Sequence, residues 1–222
     1  MGSIDIGYIA AALPAILIAL SLHEFGHAAM ATKMGDPTPR LQGRLTLNPL
    51  AHLDPLGTIF IIMTLIGGFG FGWGKPVQTN PAYYSNYRQG RILVAIAGPA
   101  MNLCQAMLGI GFAYVMFMGR ISISGFLHTF LLAFIMINIA LMLFNLLPIP
   151  PLDGGHVLEM MLPWEKQRAF QKFAPYGLLV MLGLMWFGVL GVLIGFFFKM
   201  IFMAVQLGFG PGFVEYLFKG TF

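Results

Sequence analysis

Charge is what this sequence has least of. Of 222 residues, 12 are Lys or Arg and 8 are Asp or Glu, so 9% of the chain is charged. A soluble domain carries about 25%. Hydrophobic residues make up 58% of the chain and mean hydropathy is +0.82, which excludes a soluble globular protein and reads as an integral membrane one. A net charge of +4 is too small for a nucleic-acid partner. Cysteine occurs once, as Cys104, so there is neither an internal disulfide nor a Cys-x-x-Cys metal pair. Lying in an apolar stretch, Cys104 reads as core packing. Repeats, low-complexity tracts and polar linkers are missing too. The length suits one membrane-embedded domain of several helices over 1–222. No basic segment precedes the first apolar stretch, so no cleavable signal is expected.

Long apolar runs are what the chain does have. Segments at about 4–33, 92–118, 124–147 and 175–206 are each long enough to cross a bilayer. A shorter one, from Pro55 to about Phe71, is interrupted by glycines and reads as re-entrant or interfacial. Asp54-Pro55 gives it a capping carboxylate and a proline in the first turn. Leu41, Leu45 and Leu47 alternate with polar residues, which predicts a small strand or hairpin over 41–47. The expected architecture is therefore all-α and polytopic, with about four full transmembrane helices, one short helix and a small β element. Basic residues concentrate in 33–44, 75–91 and 166–172. The positive-inside rule puts those regions in the cytosol and the N-terminus outside. After 158 comes an amphipathic stretch with Trp164, Lys166, Arg168 and Lys172, then the last helix.

Inside the first apolar segment lies His23-Glu24-Phe25-Gly26-His27. On a helix this spacing puts two imidazoles on one face, one turn apart, where both can bind one Zn²⁺ with the glutamate beside them. Ionisable groups at membrane depth are costly, so they mark function. Catalytic zinc takes three protein ligands and keeps a fourth position open. Acidic residues are few. Asp153 stands out, since it follows an apolar helix, lies between Pro151 and Gly154-Gly155, and falls on the correct side by counting crossings. Spacing alone leaves it equally a metal ligand or a helix cap. Asn48, His52 and Asp54 are placed to line a polar path to the centre. Asn138 reads as an inter-helix hydrogen-bonding group.

Several motifs occur in order: His23-Glu24-x-x-His27, Ala97-Gly98-Pro99-x-x-Asn102, and Asn145-Leu146-Leu147-Pro148-Ile149-Pro150-Pro151-Leu152-Asp153-Gly154. With Gly43-Arg44-Leu45-Thr46-Leu47-Asn48-Pro49 and Phe71-Gly72-Trp73-x-Lys75-Pro76-Val77, they resemble the site-2 protease family of intramembrane zinc metalloproteases. The likeness covers about residues 20–157 and is to the short bacterial and archaeal members, without PDZ or cystathionine-synthase-like domains. It implies one Zn²⁺ held by His23, His27 and Asp153, with Glu24 as general base. It also implies that Asn102 and Asn145 line the site and bind substrate backbone. His156 departs from the arginine often found after Asp-Gly-Gly in that family.

The expected activity is hydrolysis of peptide bonds in or near transmembrane segments of other membrane proteins. The expected setting is a lipid bilayer, as a multi-pass protein of a prokaryotic plasma membrane with its site towards the cytosolic half. The catalytic core is expected at about 4–157. An extended substrate is expected to add to a strand edge at 41–47. The alternative from a different class is a zinc-binding membrane transporter or metal sensor, in which the same ligands carry the ion without a dedicated base.

Overall fold

Asp5 starts the first helix, its side chain accepting the Tyr8 amide at 2.9 Å. This helix, α1, runs Ile6–Lys33 without a break at Pro14. The structure, a computed structural model, describes residues 5–67 and 72–218. Most of the buried positions of α1 are small residues, Ala11, Ala12, Ala15, Ala19, Gly26, Ala28 and Ala31 among them. Small residues let neighbouring helices approach closely, which is how helices associate where no hydrophobic driving force exists between them.

Beyond α1 the chain folds as short turns. Asp36, fully buried, accepts the Thr38 amide at 2.9 Å and the Asn80 amide at 2.6 Å, pinning two loops together. The single turn α2 (Thr38–Leu41) follows, then α3 (Pro55–Gly67). As expected, Asp54 caps α3, accepting the Gly57 amide at 2.8 Å. The thirteen described residues of α3 rise about 20 Å, against a hydrocarbon core of about 30 Å. Phe71 and the glycines at 68 and 70 lie outside the described residues.

The strand expected at 41–47 does not form. Leu41 ends α2, Gly43 takes φ +67°, and the Arg44 amide closes back onto the Pro39 carbonyl at 2.8 Å. The even spacing of Leu41, Leu45 and Leu47 would share one strand face, but no neighbouring strand among the described residues covers it, and Leu41 and Leu47 point outward. Among the described residues, β pairing is limited to one antiparallel bridge, Leu53 to Gly74.

Helix α4 (Tyr87–Met118) begins earlier than its hydropathy suggests. Asn86 caps it, accepting the Gln89 amide at 3.0 Å. Arg88 and Arg91 in its first turns are met by the Met160 carbonyl (2.7 Å) and Glu159 (3.0 Å). Only residues 119–124 separate α4 from α5 (Gly125–Asn145). The Pro148–Leu152 turn leads into α6 (Asp153–Met161) and the amphipathic α7 (Trp164–Phe173). The last apolar segment is two helices rather than one, α8 (Gly177–Trp186) and α9 (Val189–Phe209), separated at Gly188, which has φ +72°. The aromatic stretch after Gly210 is a helix too, α10 (Pro211–Phe218). Its fully buried Phe213 packs on Tyr114 and Phe117 of α4.

Among the described residues, four helices, α1, α4, α5 and α9, are long and apolar enough to cross a membrane. The first three pack antiparallel in sequence. The C-terminal half of α1 faces the N-terminal half of α4, where His27 bonds Val94, and Asn138 of α5 meets Asn102 of α4. At the opposite end, His128 of α5 bonds the Leu217 carbonyl of α10 at 2.9 Å. Cys104 is exposed, not part of the core, because it sits on the face of α4 turned away from α1 and α5.

Candidate metal centre and catalytic cavity

Helical spacing brings His23 and His27 together as the sequence predicts. Their ring centroids are 4.7 Å apart, edge to face, and their Nε2 atoms are 3.0 Å apart. Asp153 completes the cluster, with Oδ2 3.3 Å from His23 Nε2 and Oδ1 3.4 Å from His27 Nε2. One ligand atom from each of the three lies within 4.8 Å of the others.

The outer ring nitrogens decide what this cluster can hold. His23 Nδ1 lies 2.6 Å from the Asn102 Oδ1, and His27 Nδ1 lies 2.7 Å from the Val94 carbonyl. Both partners are acceptors, so each Nδ1 carries a proton, and in the neutral ring each Nε2 presents a lone pair. Two lone pairs and a carboxylate therefore converge on one point. Asp153 Oδ2 is buried with no hydrogen-bond partner. A donor set made only of acceptors repels itself unless a cation lies among them. Two imidazole nitrogens and a carboxylate suit Zn²⁺ and match a catalytic three-ligand site. The residues present fit the metal.

Glycines create the room. A Cβ on Gly98 of α4 would lie 2.3 Å from His27 Nε2 and 2.7 Å from His23 Cε1. A Cβ on Gly26 would lie 2.7 Å from the Ala97 carbonyl oxygen, so α1 and α4 touch through bare backbone. Asp153 sits in the first turn of α6, where the helix dipole favours a carboxylate. Its position is set by Gly154 and Gly155 behind it, packed on the Leu146 carbonyl and the Pro150 nitrogen without space for side chains. Thus Asp153 begins a helix and also joins the histidines.

Glu24 occupies the next position on the same turn of α1. Its Oε2 accepts the Val77 amide at 2.8 Å. The segment that supplies this amide is pinned by the Leu53–Gly74 bridge, by the Lys75 amide donating to the His52 carbonyl at 2.8 Å, and by the Arg44 guanidinium donating to the Lys75 carbonyl. Burial pushes the Arg44 guanidinium below its ordinary value, and nearby Glu24 opposes that shift.

These groups open onto a cavity of about 450 Å³. Its walls include Gly72, Trp73, Val77 and Thr79, Leu141, Phe144 and Asn145 of α5, and Leu178 and Met181 of α8. Asn145 is on the wall, its Nδ2 held by the Leu141 carbonyl at 3.0 Å. Asn102 is not. It is fully buried behind His23 and bonded to His23, Ala19 and Asn138, so its carboxamide is committed within the protein instead of facing substrate. Neither do Asn48, His52 and Asp54 line the cavity. Asn48 and Asp54 cap the turns after them, and His52 is fully buried with Nε2 on the Thr46 carbonyl at 2.8 Å. His156 is on the wall, 3.9 Å from Glu159. Partial burial and the Arg91 charge push its imidazole below the ordinary value, against Asp153 and Glu159.

Sequence reading did not find the Val94 carbonyl or the Val77 amide, which are backbone groups that any residue carries. Asn138, read only as an inter-helix group, sits one bond from Asn102.

Helices that span a membrane, enclosing a two-histidine, one-carboxylate centre with a glutamate beside it, define a membrane-embedded zinc metalloprotease. The sequence model of peptidase family M50 matches residues 11–125 and 111–188. This chain belongs to peptidase family M50, the site-2 protease family. It is similar to YwhC of Bacillus subtilis strain 168, described by name as a zinc metalloprotease, with 40% identity over 172 residues, 75% of this chain and 76% of that protein. It is also similar to proteins named Rip2. One, from Mycolicibacterium smegmatis, is 36% identical over 179 residues, 76% of this chain and 64% of that protein. Another, from Mycobacterium tuberculosis H37Rv, is 36% identical over 193 residues, 86% of this chain and 71% of that protein. No solved structure matches the chain. A protease of this family acts on membrane proteins within a bilayer, and the transporter alternative is not favoured.

Proposed function

We propose that His23, His27 and Asp153 hold one Zn²⁺, and that Glu24 is the proton-transferring residue in hydrolysis of peptide bonds in or near transmembrane segments of other proteins. The convergence of two imidazole lone pairs and the Asp153 carboxylate carries this reading. When bound there, Zn²⁺ supplies Lewis acidity, polarising a carbonyl and lowering the pKa of a water to about 7. Glu24 takes the proton as general base and returns it to the departing amine as general acid. The Val77 amide keeps the Glu24 carboxylate aimed at the cavity. Asn145 offers its carboxamide to substrate from the α5 wall. A helical substrate must unwind, because its peptide groups are already paired with one another, and the cavity between Gly72–Thr79 and α5 receives the extended stretch.

Residues 4–157 form the catalytic core in this reading, since every proposed ligand and the base lie within them. Residues 158–222 add Leu178 and Met181 of α8 to the cavity wall. Lys33, Arg40, Arg44, Lys75, Arg88 and Arg91 surround the site end of the bundle, which supports placing that end towards the cytosol of a prokaryotic plasma membrane.

The test is zinc analysis paired with cleavage of a model transmembrane substrate in detergent. Glu24→Gln keeps zinc and loses about a hundredfold to ten-thousandfold in kcat. Asp153→Ala loses zinc and activity together. An Asp153→Ala protein with full zinc and full activity overturns the ligand set.

A further inference from the structure

We infer that Asn102 and Asn138 are positioning residues for the metal centre, linked in a one-way chain of hydrogen bonds from His23 to Asn102 to Asn138 to the Phe134 carbonyl. The inference rests on the reading of His23 as a metal ligand and assigns work to two residues that do not touch the metal or the cavity.

The chain crosses three helices. His23 of α1 donates from Nδ1 to Asn102 Oδ1 of α4 at 2.6 Å. Asn102 donates from Nδ2 to Asn138 Oδ1 of α5 at 2.8 Å. Asn138 donates from Nδ2 to the Phe134 carbonyl at 2.9 Å. The second hydrogen of Asn102 Nδ2 goes to the Ala19 carbonyl at 3.2 Å. Both carboxamides have zero exposure, so water does not substitute for a missing partner.

Donor direction is forced at every link. The Ala19 carbonyl only accepts, so Asn102 Nδ2 must face it and Oδ1 must face the histidine. The Phe134 carbonyl likewise turns Asn138 Oδ1 towards Asn102. His23 Nδ1 then has only an acceptor to meet and must carry its proton, which in the neutral ring that binds a metal leaves Nε2 as a lone pair on the centre. Each bond polarises the next, and the dry surroundings strengthen all of them. The other histidine is fixed by the Val94 backbone carbonyl, which no side-chain replacement removes. His23 is thus the ligand whose tautomer depends on side-chain identity. Asparagine meets the need because one short group must accept once and donate twice.

The test uses the full chain in detergent, with zinc affinity measured by competition against a chromophoric chelator and visible absorption of the Co²⁺-substituted protein. Asn102→Ala lowers zinc affinity about 10- to 100-fold and changes the Co²⁺ bands. Asn138→Ala moves both readouts in the same direction by less. Asn102→Asp, which keeps an acceptor opposite Nδ1, restores most of the affinity despite a lower melting temperature. A folded Asn102→Ala protein with wild-type affinity and spectrum overturns the inference. If Asn102→Ala does not fold, Asn138→Ala decides, and unchanged readouts there overturn it equally. His23→Ala is measured alongside. Wild-type zinc affinity in His23→Ala overturns the ligand assignment itself, whereas loss there with no effect at Asn102 overturns only the hydrogen-bonded chain.

Discussion

His23, Glu24 and His27 are legible in the sequence because a helix fixes their spacing whatever surrounds it. Asp153 is half legible, since an aspartate after a proline turn serves equally as a cap, and here it does begin α6. Asn102 shows the limit. Its residue type announces a buried polar group, but which side it faces depends on how α4 packs on α1, and only that packing turns it behind His23. Gly98 is the converse case, a residue without chemistry on which the chemistry depends. Its Cα faces both imidazoles, and a Cβ would lie 2.3 Å from His27 Nε2. The ring cannot retreat, because its Nδ1 is held by Val94. Gly98→Ala is therefore expected to cost about 1–3 kcal/mol as overpacking and to weaken zinc binding, measured by thermal unfolding and chelator competition. Gly111→Ala on the same helix, where a Cβ meets nothing within 4 Å, leaves zinc affinity unchanged. Equal effects from the two substitutions overturn the argument.

Hydropathy located the elements that cross the membrane, because twenty or so apolar residues have few alternatives in a bilayer. It failed where length and composition stay the same but the backbone turns. The alternation at 41–47 lacked a partner strand, and nothing local says whether a partner exists. The last apolar segment gave one continuous hydropathy signal, yet it is broken at Gly188 between α8 and α9. That break allows Met181 of α8 and Leu190 of α9 to pack together against Leu147 and Leu152, beside the turn that carries Asp153. Gly188 has φ +72°, a conformation that costs other residues about 1–2 kcal/mol, and a Cβ there meets no atom within 4 Å. Gly188→Ala is expected to lower stability by about that amount through backbone strain alone, read from thermal unfolding in detergent. Gly191→Ala in the first turn of α9, with a helical backbone and equally open surroundings, is the control. A loss at Gly191 as large as at Gly188 shows that the cost does not come from the left-handed backbone of the turn, and overturns the explanation.

Across the whole molecule, the scarce charges follow the fold. With α1, α4 and α5 antiparallel, the C-terminal end of α1, the N-terminal end of α4 and the C-terminal end of α5 gather at one end, and the metal centre lies just inside it. Lys33, Arg40, Arg44, Lys75, Arg88 and Arg91 surround that end, and Lys166, Arg168 and Lys172 lie on α7, which follows α6 there. Arg120, in the turn after α4, marks the other end. Cationic loops resist translocation, so this asymmetry is expected to orient the bundle with the metal-centre end towards the cytosol. In the proposed reading orientation and chemistry are coupled, because the cavity opens among the same cationic loops. The measurement is labelling of single cysteines with a membrane-impermeant maleimide in a Cys104→Ser background, on intact cells and on inverted vesicles. Lys75→Cys is expected to label only in inverted vesicles and Arg120→Cys only in intact cells. Replacing Lys33, Arg40 and Lys75 together by Gln, all exposed, removes part of the bias and is expected to yield a mixed population. Labelling of Lys75→Cys in intact cells puts the metal centre on the outer side and overturns the cytosolic assignment, while leaving the geometry of the centre untouched.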